Sequence, residues 1–308
     1  MRIIQRACHW LLHIATVLAA GAVALDVSGR RAIREAASAP RSPQTGIMLG
    51  AEPLRVDRGR AGACLLLHGW GGSPADFGDL PKALDEAGWD VYAPLHTGHG
   101  TSPADLEGVK AQALLDGARA RYADLRAQYK KIALVGFSIG GTLATILSAE
   151  RPPDGLVLLA PFYEVTYKPY YVLPARWWHA LLRPFVRYVA RPQWMIQVNR
   201  PEGRGHLVEY NALPTGSMQA PFCLRRHALE EAGLARLQMP LLMLYSRGDE
   251  VSSPAAMAEF YRRLPDGRKA MATFERSNHH ILHDYDREAA IRAIVEFVNG
   301  RLAAGPAG

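Results

Sequence analysis

Six short apolar runs, each bounded by turn-forming residues and parted from the next by helical spacing, limit this chain more than any other feature. They are ACLLLHG (63–69), DVYAPLH (90–96), KIALVGF (131–137), GLVLLAP (155–161), PLLMLYS (240–246) and KAMATFE (269–275). Runs that are apolar throughout, with no polar alternation, suit strands covered on both faces. Helical patterns fall at 74–88, 104–129, 140–150 and 254–264, and 285–302 closes the chain with an apolar stripe of Ala289, Ile291, Ile294, Val295 and Val298. Strand–helix alternation of this kind predicts an α/β fold, a mostly parallel central sheet with helices on both faces.

One interval breaks the pattern. Residues 162–236 contain no convincing strand, yet hold 12 of the 26 aromatic residues and ten Lys and Arg against five Glu. This reads as a helical cap inserted between two strands, with helices expected at 174–190 and 221–237. The rest of the chain from 46 to 308 is one domain, and the Ala/Ser/Pro/Arg stretch at 36–45 reads as a linker.

Residues 1–35 differ from the rest. Arg2 and Arg6 precede an apolar stretch at 10–25 broken only by His13 and Thr16. It is shorter than the ~20 residues of a usual membrane span, and Ala22-Val23-Ala24 has the small-x-small form of a cleavage site. Arg30, Arg31 and Arg34 then follow, which favours retention. An exported (periplasmic) protein with a cleaved signal, an uncleaved membrane anchor and a packed amphipathic helix all remain open.

The 308 residues are 49% hydrophobic and 21% charged, an ordinary globular composition. Cys8, Cys64 and Cys223 cannot build a disulfide framework and show no metal-ligand spacing, and neither a metal nor an organic cofactor is expected. The net charge is +7, with basic and aromatic residues together in the insertion. No RNA- or DNA-binding motif accompanies them, so nucleic acid is not an expected partner.

Chemistry enters at Gly136-Phe137-Ser138-Ile139-Gly140. A lone GxSxG is weak, but this one follows a predicted strand and opens a predicted helix, the setting of a nucleophile elbow. So tight a turn strains the serine toward φ > 0 and leaves no room for a Cβ two residues before or after it. A serine hydroxyl needs a base, and the base needs an orienting carboxylate, here expected in the chain order Ser, acid, His. SRGDEVSSP supplies Asp249 after one strand, and ERSNHHILHD supplies His279, with His280 in reserve, after the next. Asp154, Asp266, Asp284, Asp286 and Glu250 are less well placed. Two backbone N–H groups should face the developing oxyanion, those of Ile139 and, after LLLHG, of Trp70. His68 and His99 read as loop-shaping residues.

LLLHGWGGSPADF, YAPLHTGHGTSPADL, LVGFSIGG, SRGDEVSSP and SNHH together resemble the bacterial carboxylesterase and monoacylglycerol lipase group of the α/β-hydrolase fold. The resemblance runs from about residue 61 to the C-terminus, with the insertion matching only in kind. It implies Ser138, Asp249 and His279 as the triad, selecting His279 over His280 by the Ser-x pair before it, and Trp70 and Ile139 as oxyanion donors. It implies a serine ester hydrolase working through an acyl-enzyme on small-molecule esters or lipids, medium-chain or monoacylglycerol-like given the aromatic insertion. A thioesterase, peptidase or acyltransferase on the same residues, or a binding protein that does no chemistry, are the rivals. The N-terminal segment is expected to bring membrane association if it is retained, and periplasmic export if it is cleaved.

Overall fold

The computed structural model describes residues 2–168, 173–265 and 267–303. All six apolar runs become strands: β2 (Gly62–Leu67), β3 (Asp90–Ala93), β4 (Lys131–Phe137), β5 (Gly155–Leu159), β8 (Leu241–Ser246) and β9 (Lys269–Phe274). With β1 (Leu54–Val56), which the sequence reading missed, they form a seven-stranded sheet in the order β1-β3-β2-β4-β5-β8-β9. β1 pairs antiparallel with β3 at one edge, and every other pairing is parallel. The fold is the expected α/β-hydrolase arrangement.

Successive residues of the inner strands face opposite layers. Leu65 and Leu67 of β2 join a core containing α3 (Ala111–Gln128), α4 (Ile139–Glu150) and α8 (Pro254–Arg263). Cys64 and Leu66 face the core of α2 (Leu80–Glu86) and α9 (Arg287–Val298). Every residue of β2, β5 and β8 is buried, as a continuous apolar run requires. β9 departs from that expectation because it is an edge strand, and its Met271 is exposed.

The insertion between β5 and β8 is not purely helical. It holds α5 (Ala175–Leu182), β6 (Tyr188–Ala190), β7 (Ala212–Pro214), α6 (Gln219–Ala228) and α7 (Glu231–Leu234). The helix expected at 174–190 stops at Leu182, since Pro184 cannot donate a helical hydrogen bond. Val189 then pairs antiparallel with Leu213 in a two-stranded sheet, which corrects the all-helical expectation. The helix expected at 221–237 is divided where Glu230 turns to ψ 130°.

Residues 2–37 form one long helix, α1 (Arg2–Ala37), so helix enters the stretch read as a linker. The remaining stretch is fastened down: Arg41 donates to the carbonyls of Ala36 and Thr101, and Pro40 O accepts Leu49 N–H (3.0 Å). The second half of α1 docks on the insertion. Arg187 N–H donates to Asp26 Oδ1 (2.9 Å), Asn211 Nδ2 donates to Ala32 O (2.9 Å), and a Cβ on Gly29 would stand 2.0 Å from Tyr188 O. Trp10, Leu12, Val17 and Val23 are exposed. Among the described residues no helix is long and apolar enough to cross a membrane.

Candidate active site

β4 delivers Ser138 at its C-terminal end, and α4 begins at the next residue. Ser138 has φ 52° and ψ −118°, the strained corner that the two flanking glycines predicted. A Cβ on Gly136 would lie 2.3 Å from Gly140 O, and one on Gly140 would lie 1.9 Å from Leu67 O. The corner is tied to its neighbours as well: Ser138 N–H donates to Leu159 O (3.0 Å), and Phe162 N–H donates to Ser138 O (3.0 Å).

The loops after β8 and β9 bring the two partners. His279 Nε2 lies 3.0 Å from Ser138 Oγ, and His279 Nδ1 lies 2.7 Å from Asp249 Oδ2. Asp249 Oδ1 accepts the N–H groups of Val251 and Ser252, both at 2.8 Å, so the carboxylate cannot turn away from the ring. Asp249, His279 and Ser138 are all buried. A hydroxyl–imidazole–carboxylate chain of this geometry can pass the serine proton to the ring and stabilise the resulting positive charge.

Asn278 escaped the sequence reading although it sits beside His279. Its Oδ1 accepts from Glu250 N–H (3.0 Å) and from His279 N–H (2.9 Å), clamping the acid loop to the histidine loop. Ser246 Oγ bridges the same two loops by donating to Ser277 O. Only its place next to the histidine could have hinted at this role.

The alternatives fall away on geometry. His280 turns from Ser138 toward Glu209, its Nε2 3.2 Å from Oε1. Asp284 accepts the N–H groups of Asn199, Arg200 and Asn278, and Asp286 those of Arg276 and Ser277. Asp154 holds Arg126 and the N–H of Ile132. Glu250 pairs with Lys168. Asp266 lies outside the described residues.

The loop after β2 carries Trp70, whose N–H and that of Ile139 are the expected oxyanion donors. Gly69 N–H donates to Asp76 Oδ2 (2.8 Å) and Gly71 N–H to His99 Nε2 (3.0 Å). The N–H groups of Trp70 and Ile139 make no hydrogen bond among the described residues, as donors reserved for a substrate oxygen would. His68 and His99 shape the loop as expected. His68 Nε2 accepts His96 N–H (3.0 Å), and burial drives His99 down to about 3 and His68 well below its ordinary range, keeping both rings neutral. The insertion reaches this loop, since Tyr210 N–H donates to Gly71 O (2.8 Å). Not all of its aromatic side chains turn inward: Trp177, Phe185 and Trp194 are exposed, while Tyr163 and Tyr210 are buried.

Asp76, Glu209 and His280 bring one potential ligand atom each to within 4.8 Å of one another. Arg191 Nη1 stands 3.2 Å from Glu209 Oε2, so a guanidinium already supplies positive charge there and the group does not suit a divalent cation.

A family model described as serine aminopeptidase, S33, matches residues 59–286. A thermostable monoacylglycerol lipase of Bacillus sp. (strain H-257) is 26% identical over 260 residues, covering 83% of this chain and 97% of that one. A carboxylesterase of Bacillus subtilis (strain 168) is 25% identical over 243 residues, covering 77% and 92%. The crystal structure of Paleococcus ferrophilus monoacylglycerol lipase superposes with a TM-score of 0.67 at 20% identity, over 81% of this chain and 98% of that one, a likeness of fold.

Proposed function

Since the chain belongs to the serine aminopeptidase S33 family of α/β-hydrolases, we propose that it hydrolyses carboxylic esters of small molecules or lipids through Ser138. The observation that carries this reading is the continuous chain from Ser138 Oγ through His279 to Asp249. His279 takes the hydroxyl proton as Ser138 attacks the acyl carbon, and Asp249 holds the imidazole and offsets its charge. The oxygen that gains charge is met by the N–H groups of Trp70 and Ile139. His279 returns the proton to the departing alcohol, and a water molecule repeats the sequence to free the acid. None of these steps calls on a cofactor.

Relatives named as a monoacylglycerol lipase and a carboxylesterase support ester over peptide cleavage, although the family carries a peptidase description. Medium-chain or monoacylglycerol-like substrates are the finer reading, supported by the aromatic content of residues 162–236, which we assign as the cap. A fluorophosphonate probe tests the nucleophile: it should label the protein at Ser138, and Ser138→Ala should lower ester hydrolysis by ~10⁴-fold or more with folding intact. Well-folded protein that takes no label overturns the reading. Faster turnover of aminoacyl anilides than of p-nitrophenyl esters transfers it to a peptidase.

We assign α1 as the attachment to a lipid surface, supported by its exposed Trp10, Leu12, Val17 and Val23 and by the arginines at both ends. Full-length protein should float with lipid vesicles and a chain lacking residues 1–25 should not; equal flotation refutes this.

A further inference from the structure

The proposed mechanism makes no use of a buried acid pair behind the oxyanion loop. Asp76 side-chain oxygens meet the loop from below: Oδ2 accepts Gly69 N–H at 2.8 Å, and a Cβ on Gly72 would stand 2.4 Å from that same oxygen. Asp76 Oδ1 is buried and has no hydrogen-bond partner among the described residues. A carboxylate oxygen of Glu209 in the cap lies within 4.8 Å of one of the Asp76 oxygens, and the Glu209 side chain, 4% exposed, is paired with Arg191. His280 completes the group, 3% exposed, with neither ring nitrogen in hydrogen-bonding geometry. His283 lies on the remaining side, its Nε2 held by Ala75 O at 2.8 Å.

The charges in this enclosure do not balance as drawn. Burial keeps His280 and His283 neutral, so two carboxylates face one guanidinium and a whole negative charge is left on buried carboxyl groups. A divalent cation would overshoot to a net positive charge, whereas one proton brings the group to zero. We propose that Asp76 works as a neutral carboxylic acid, its Oδ1–H turned to the ionised Glu209, and that in this form it is the positioning residue for the loop carrying the Trp70 N–H. The electrostatics agree on where the proton resides. Burial and then the Glu209 charge push the Asp76 carboxyl well above its ordinary range. Against the cost of burial, the Arg191 guanidinium holds Glu209 below its ordinary range. A neutral acid both accepts from Gly69 and donates to Glu209, which a carboxylate cannot do. The cap thereby helps to set the oxyanion loop from a segment far along the chain.

The inference rests on the ester-hydrolase reading for its kinetic part, but its infrared part does not. In the full-length protein near neutral pH, the carbonyl stretch of a protonated carboxylic acid should be present and should vanish in Asp76→Asn. Glu209→Gln removes the repulsion that holds the proton, so the band should be lost at a lower pH than in the wild type. In ester hydrolysis, Asp76→Ala should lose ~10²-fold, mainly in kcat because the oxyanion contact matters in the transition state. Asp76→Asn, which keeps an acceptor and a donor, should recover at least ~tenfold of that loss. The proposal is overturned by a wild-type spectrum with no band that Asp76→Asn removes, by equal losses in the Asn and Ala variants, or by one tightly bound divalent metal per chain that Asp76→Asn releases. If the Ala variant does not fold, the infrared comparison of wild type with Asp76→Asn decides alone. If Ser138 takes no probe, the band still reports on Asp76.

Discussion

Replacing Gly140 by alanine tests the steric logic of the elbow with one methyl group. The added Cβ would lie 1.9 Å from Leu67 O, 2.4 Å from Leu67 C and 2.7 Å from His68 O. Ordinary contact begins at 3.4 Å, so about 1.5 Å must be found, and the obstacle is backbone of an inner strand rather than the end of a flexible side chain. Overpacking of well-filled interiors costs ~1–3 kcal/mol, and a clash with fixed backbone belongs at the upper end of that range. At ~2–4 °C per kcal/mol for a chain of this size, melting should fall by roughly 6–12 °C. Strand and helix can separate only by moving Ser138, and a displacement of ~1 Å at the reacting atom costs ~10²-fold in rate. The assay pairs thermal unfolding by circular dichroism with kcat/KM on a short p-nitrophenyl ester. Gly205→Ala is the control: no atom lies within 4 Å of its added Cβ, and its stability should stay within ~0.5 kcal/mol of wild type. Matching melting temperatures and rates for Gly140→Ala and Gly205→Ala would refute the argument.

Asp249→Asn keeps the shape of the carboxylate but offers His279 the wrong partner, so kcat should fall by ~10³–10⁴-fold with unchanged melting; a loss under tenfold on esters counts against Asp249 as the orienting group. Burial lowers His96 and His283 to about 4, below the ordinary 6.5, so the unfolded chain binds more protons than the folded one between those values. Their contribution to stability is complete above pH ~6.5 and is lost as pH falls toward ~4; urea midpoints that stay flat across that window contradict it. Cys64 is fully buried and burial raises its thiol, so maleimide should modify Cys223 in the native protein and reach Cys64 only in denaturant, as read by peptide mass mapping.

The strands that carry the site were legible because each is a continuous apolar string, and the elbow because its glycines answer to contacts two residues away. Asp249 and the pair His279 and His280 were legible from the order of strands, and only the family resemblance chose between the two histidines. The insertion was harder to read. Short β-prone stretches such as Tyr188–Ala190 and Ala212–Pro214 become strands only by finding each other across intervening loops. β1 likewise exists because β3 offers it an edge. Asn278 is marked only by its place beside His279, and nothing local marks Asp76 and Glu209 as buried near each other.

Alone, the amino-acid string determined the α/β layering, the strained serine and the acid and histidine that could serve it, because these follow from side-chain period, turn sterics and chain order. Tertiary packing decided which histidine meets the hydroxyl, which N–H groups stay unbonded, how α1 lies along the insertion and which acids are buried together. Those outcomes depend on distances between segments remote in sequence, and a buried charge is defined by everything packed around it rather than by its neighbours along the chain.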